Sequence, residues 1–133
     1  MNPEEREALV RRSTDAWNSN DFETLKAIWS PEGVIVSPEG WPEVGTFSGW
    51  DAMVAQWRRI KESWAEERVA VTGIEPAGEA SLADMRWELR GEASGAPLEV
   101  RVWILCEFEG RRLAKMTYFL DERAARAVAE EKR

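Results

Sequence analysis

Leu9, Val10, Ser13, Ala16 and Trp17 recur at helical spacing, so the start of the chain predicts a helix with one inward face. Asn2-Pro3-Glu4-Glu5 opens it, because Asn caps, proline is tolerated at the first position and acids favour the first turn. Asn18-Ser19-Asn20 ends it. Asp21 then caps a short helix carrying Phe22, Leu25, Ile28 and Trp29, stopped by Ser30-Pro31-Glu32-Gly33. Val34-Ile35-Val36 predicts a short strand running into a Pro- and Gly-rich loop from Ser37 to Gly45. Ser48, with Asp51 three residues later, has the form of a capping box for a third helix. On that helix Trp50, Val54, Trp57, Lys61 and Trp64 share one stripe, with Met53 and Ile60 beside it.

After Trp64 the period shortens to two. Residues 69–74, 82–90, 98–108 and 113–120 predict four strands, separated by turn material at 75–78, 91–97 and 109–110. Asp121 caps a final Ala-rich helix. Three helices ahead of a long antiparallel sheet make an α+β fold with the helices on one face. No repeat or shift in composition divides residues 1–133, which read as one domain.

Alternation decides which side chains face the helices. In the third long strand Leu98, Val100, Val102, Ile104, Cys106 and Phe108 form an unbroken apolar row opposite Glu99, Arg101, Trp103, Leu105 and Glu107. In the second, Ala83, Met85, Trp87 and Leu89 oppose Asp84, Arg86, Glu88 and Arg90. The apolar rows are expected to face inward, since a one-residue slip would bury charge and expose them. The outer face is then a lattice of mixed charge interrupted by Trp103, Leu105 and Phe119. That patch predicts a homodimer through the outer sheet face.

Composition narrows the chemistry. With 133 residues, 44% of them apolar and 32% charged, the chain can bury a core unaided and sits in the soluble globular class. A net charge of −7 opposes binding to nucleic acid, which depends on neutralising phosphates. One Cys rules out an internal disulfide, MNPEEREALVRR has no apolar signal core, and no run approaches a membrane span, so a cytoplasmic location is expected. The absence of His removes Ser-His-Asp and Cys-His nucleophiles, His-bearing zinc sites and the facial iron triad. A lone Cys holds no thiolate zinc, and no phosphate loop, dinucleotide fingerprint or calcium loop is present, so neither metal nor cofactor is expected. The stretches Gly45-Thr46-Phe47-Ser48-Gly49 and Gly91-Glu92-Ala93-Ser94-Gly95 differ in spacing from a nucleophile elbow and have no His to serve them. Any proton transfer falls to carboxylates, Tyr, Lys, Cys or water.

Three segments carry a family resemblance: Trp17-Asn18-Ser19-Asn20-Asp21-Phe22 with Ile28-Trp29; Ser37-Pro38-Glu39-Gly40-Trp41-Pro42 with Phe47-Ser48-Gly49; and residues 110–121, GRRLAKMTYFLD. With the order helix–helix–strand–helix and then a sheet, the chain resembles the nuclear transport factor 2-like superfamily, in its SnoaL-like and ketosteroid isomerase-like branch. The resemblance implies a cone in which three N-terminal helices and a strongly curved antiparallel sheet enclose an apolar pocket, followed by a short C-terminal helix. The fold hosts isomerases, cyclases, hydrolases and non-catalytic modules, so function rests on the site. The isomerase tyrosine of the first helix falls on Ser13, the general-base aspartate on Ser37 ahead of Pro38, and the protonated aspartate near Ile104. Two serines and an isoleucine cannot perform that proton shuttle.

Ser13, Trp17, Trp57, Met85, Trp87, Ile104, Met116 and Tyr118 lie on inward rows and are expected to converge on one ligand pocket. Tyr118, the only tyrosine, reads as a core ring or as a hydroxyl that orients a ligand. Trp41 and Trp50 flank a loop placed to cover the mouth. Asp84 and Glu88, with Arg101, are the only carboxylate–guanidinium set on neighbouring strands; they lie outside in the expected register and would form an acid–base group if it were inverted. Two functions follow. One is a binding module with a Trp-rich pocket for a small, flat, apolar molecule. The other is a small isomerase, polyketide cyclase or hydrolase of SnoaL-like type using a pocket carboxylate, with Tyr118, Asp84, Glu88 or the loop acids Glu39 and Glu43 as candidates.

Overall fold

The computed structural model describes residues 1–133 except Pro42, Glu92 and Ser94, so part of the 91–95 stretch and of the loop before Gly45 lies outside the described residues. Helix α1 (Pro3–Asn18) begins on a reciprocal cap: the Asn2 side chain accepts from the Glu5 N–H at 2.8 Å while the Glu5 carboxylate accepts from the Asn2 N–H at 3.0 Å. Helix α2 (Phe22–Ile28) is capped by Asp21, which accepts from the Thr24 N–H at 3.1 Å. Strand β1 (Trp29–Ser37), strand β2 (Gly45–Ser48) and helix α3 (Trp50–Glu62) follow. The remaining elements are β3 (Glu66–Ala77), β4 (Ala80–Arg90), β5 (Pro97–Glu109), β6 (Arg112–Phe119) and α4 (Glu122–Lys132). Among the described residues no helix is long and apolar enough to cross a membrane.

The six strands form one sheet in the order β2-β1-β6-β5-β4-β3. β3 to β6 are antiparallel neighbours, as their short turns require. The β1–β6 pair is parallel, so the sheet is mixed. No hairpin joins those two strands, and the long connection between them leaves their relative direction free. β2 begins where the expected loop ends and is a strand that the pattern does not predict: it turns back on β1, with Val36 opposite Thr46 and Val34 opposite Ser48. Four residues are too few for alternation to reveal a strand. Ser48 is consequently occupied in the sheet and caps nothing; α3 starts at Gly49, whose φ of 87° suits glycine and which makes no side-chain cap bond.

The two faces of the sheet carry two cores. On the concave face Ala83, Met85 and Trp87 of β4 and Val102, Ile104 and Cys106 of β5 pack against α1, α2 and α3, as the alternation requires. On the opposite face Ala77, Ala80, Leu82, Trp103 and Leu105 pack against Ala125 and Ala129 of α4, with Phe119 and Val128 alongside. The expectation of helices on one face only, and of an open Trp103–Leu105–Phe119 patch, is corrected here. The chain's own last helix covers the patch. Ala125, Val128 and Ala129 share one helical face, and the small side chains let α4 lie close on the indole. At its far end the helix meets the β3–β4 turn, where Gly78 has a φ of +64° and an added Cβ would stand 1.9 Å from the Lys132 carbonyl oxygen. Lys132 also reaches Glu107 at 2.9 Å, and Arg126 pairs with Glu75.

Ala125 is fully buried against the sheet, so a carboxylate there must lift the helix. Ala125→Asp is expected to lower stability by roughly 2–4 kcal/mol. By uncovering Trp103 and Leu105 it should also increase self-association relative to the parent in light scattering. Unchanged mass and unchanged unfolding would mean that α4 does not cover this face in solution.

Candidate functional site

Between α1, α3 and the concave face lies a cavity of about 60 Å³. All eight inward residues expected from the pattern line it, joined by Thr14, Leu25, Trp29, Ile35, Trp41, Gln56, Ile60, Val69 and Val102. The elements explain the convergence. Ser13 and Trp17 sit one turn apart on α1. The sheet register places Met85 opposite Val102, Ile104 opposite Tyr118 and Cys106 opposite Met116. Trp87 meets Trp17 edge-on, with centroids 5.9 Å apart at 88°. Trp41, on the loop between β1 and β2, roofs the cavity by packing on Trp87 at 4.8 Å and on Tyr118 at 5.2 Å.

Polar groups in the lining are few and mostly engaged. The Ser13 and Thr14 hydroxyls both donate to the Val10 carbonyl, at 2.7 and 3.1 Å, so each is satisfied by its own helix. Gln56 is buried and its Nε2 donates to Ser37 Oγ at 3.2 Å. Tyr118 donates to Met116 Sδ at 3.8 Å, a weak acceptor. Burial, with smaller contributions from Cys106 and Glu67, pushes its phenol well above the usual range, so it stays a neutral donor. No Asp, Glu, Lys or Arg lines the cavity among the described residues.

The candidate carboxylates lie elsewhere. Asp84 accepts from Arg101 Nη2 at 2.9 Å on both oxygens and Glu88 lies 3.4 Å from Arg86, all on the face away from the cavity. Glu39 is exposed and Glu43 is paired with Arg59. Trp50 is not among the lining residues, and its indole donates to the Trp29 carbonyl at 3.2 Å. Cys106 is fully buried, which pushes its thiol up to about 12 and leaves it a small apolar group.

The sequence reading misses Glu67. Its side chain is only 3% exposed and accepts from the Trp17 indole N–H at 2.6 Å and from Lys61 Nζ at 2.9 Å. Lys61 also donates to the Trp17 carbonyl at 2.7 Å, with its ammonium 4.2 Å from the Trp17 ring centroid. This network holds one wall of the cavity from behind. Glu67 stands two residues before Val69, so continuing the alternation by one period would have placed it on the inward row. Starting the strand at Val69 hid it.

Removing one member of a buried pair leaves its partner's charge uncompensated, at roughly 3–5 kcal/mol. Lys61 keeps 16% exposure, which favours the low end. Lys61→Met is therefore expected to destabilise by about 3 kcal/mol, with most of the loss recovered when Glu67→Gln is added. Urea unfolding of the two single variants and the double variant measures this coupling, and additive losses would refute it.

The family model for the SnoaL-like domain matches residues 10–116. No curated protein matches the sequence. Among solved structures, an NTF2-like protein of unknown function from Burkholderia pseudomallei shares the fold with a TM-score of 0.79 at 21% identity, over 90% of this chain and 93% of that one. TerC, co-crystallised with polyporic acid, has a TM-score of 0.79 at 16% identity over 95% and 98% of the two chains. A protein from Jannaschia provisionally described as a SnoaL-like polyketide cyclase has a TM-score of 0.77 at 14% identity over 96% and 93%. With the family match spanning most of its length, the chain belongs to the SnoaL-like domain family, and it shares the fold of these structures.

Proposed function

We propose that the protein binds a small, neutral, largely apolar molecule in the cavity between α1, α3 and the concave sheet, as a binding module without carboxylate chemistry. One observation carries this reading: the inward rows converge on a hollow whose only titratable lining group, among the described residues, is a tyrosine held neutral. A general acid or base for work near neutral pH needs a pKa near that pH, and Tyr118 is pushed the other way. The remaining lining is mainly indole and aliphatic, the composition of small-molecule sites. TerC, with polyporic acid in its crystals, supports the capacity of this fold to accommodate a small molecule.

The runner-up, an isomerase, cyclase or hydrolase using a pocket carboxylate, draws support from the Jannaschia protein's description. In this chain the nearest inward carboxylate, Glu67, is already engaged by the Trp17 indole and by Lys61. Trp17 stands between it and the hollow, so that reading needs a rearrangement which the binding reading does not.

Acetophenone and ethylbenzene test the proposal, being alike in size with and without an acceptor. Tyr118→Phe deletes one donor and keeps the ring, so it should weaken acetophenone roughly threefold to tenfold and ethylbenzene less than twofold. Calorimetric titration of parent and variant measures both. Equal losses for the two compounds, or no binding of either by the parent, would overturn the reading.

A further inference from the structure

A second hollow of about 210 Å³ opens on the other side of Trp41, walled by Trp64, Leu89, Leu98, Val100 and Leu120. It shares Trp41, Ile60 and Trp87 with the inner cavity. Neither hollow has a charged residue in its lining among the described residues. Leu98 and Leu120, at 50% and 37% exposure, leave an apolar entrance facing solvent. Alone, the inner cavity is far below the ~300–1,000 Å³ of sites that take drug-sized molecules; joined, the two approach the lower bound.

Of the three side chains that the two hollows share, Trp41 is the one on a loop. The indole of Trp41 makes no hydrogen bond, and its backbone N–H donates to the Pro38 carbonyl at 3.2 Å. Gly40 before it has a φ of +88°, a conformation that suits glycine at a hinge. The indole N–H of Trp87, packed on Trp41, is likewise buried without a partner. Both side chains are more than nine-tenths buried. Buried donors are ordinarily paired, so two adjacent unpaired ones in a wall shared by two hollows mark where an acceptor is missing.

We propose that Trp41 is a partition within one longer site, and that this site takes a neutral, extended apolar molecule of about two rings carrying a carbonyl-type acceptor where the hollows meet. The inference rests on the binding reading above and deepens it by naming the ligand class. One end of the ligand fills the inner cavity and the other lies against Leu98 and Leu120. Trp41 swings aside, and its N–H and that of Trp87 meet the acceptor.

Benzophenone, diphenylmethane and acetophenone, titrated into the ¹⁵N-labelled full chain, separate the outcomes. Benzophenone should bind at least about tenfold tighter than acetophenone, since its second ring is buried in the outer hollow. It should also shift the Trp41 and Trp87 indole N–H resonances, assigned from the Trp41→Phe and Trp87→Phe variants. Diphenylmethane, which lacks the acceptor, should bind roughly threefold to tenfold more weakly than benzophenone. Each variant should bring that ratio toward one. Benzophenone no tighter than acetophenone, a ratio unchanged in both variants, or unmoved Trp41 and Trp87 resonances would overturn the longer site while leaving the inner cavity standing. Where a variant fails to fold by circular dichroism, the parent's indole resonances, assigned instead from NOE contacts in the parent, decide. Binding of none of the three probes would refute the cavity reading and this inference with it.

Discussion

The structure depends on the register of β4, β5 and β6. Because side chains alternate with period two, pairing Met85 with Val102 and Ile104 with Tyr118 commits every other residue on three strands at once. A slip of one position would turn Asp84, Arg86 and Arg101 toward the helices and expose Met85, Trp87 and Ile104. The mixed-charge lattice on the other side is worth little as individual ion pairs, since most of its members are well exposed. Its effect is to exclude the alternative: the right register is fixed by the cost of burying those charges as much as by the apolar row.

That register explains why the site is so poor in titratable groups. A concave row which must pack against three helices is selected for apolar bulk, and its acids are left on the far face. Glu67 is the exception, and it shows what inward placement requires. It takes two donors, the Trp17 indole and the Lys61 ammonium, to hold one carboxylate at 3% exposure. A carboxylate so committed serves to fix the Trp17 ring, and through it a wall of the cavity.

Much of this was legible in the sequence because the relevant signals are local. Asn2, Asp21 and Asp121 cap the helices they precede, and the alternation from Ala83 to Leu89 and from Val100 to Phe108 names the inward rows. Signals that are short or nonlocal were lost. Gly45–Ser48 is too short to show a period, and nothing in β1 or β6 encodes their parallel pairing. The outer patch failed for a different reason. Alternation puts Trp103, Leu105 and Phe119 on the outer face, but within strands it cannot say that Ala125 and Ala129, on the helix that follows the last strand, fold back to cover it. Residues in the site show the same division. The inward rows name eight of the lining side chains, whereas for Trp41, on a loop without period, the pattern gives a place at the mouth but not a role in dividing it.

Three buried indoles among the described residues lack an acceptor, and they do not mean the same thing. Trp103 lies under α4 with the Arg101 guanidinium 5.1 Å from its ring, and it lines neither of the two hollows. There the ring's area and its cation contact are sufficient reason for the residue, with the unpaired N–H as a cost of the order of 1–3 kcal/mol. Trp41 and Trp87 bear the same cost twice over, side by side, in the wall between two apolar hollows. Phe at either position would supply a comparable face for packing without a buried donor. An unpaired N–H is therefore not itself a site. What distinguishes this pair is space on both sides and the fact that no polar group of the lining bonds either N–H, and both conditions point to a molecule from outside the chain.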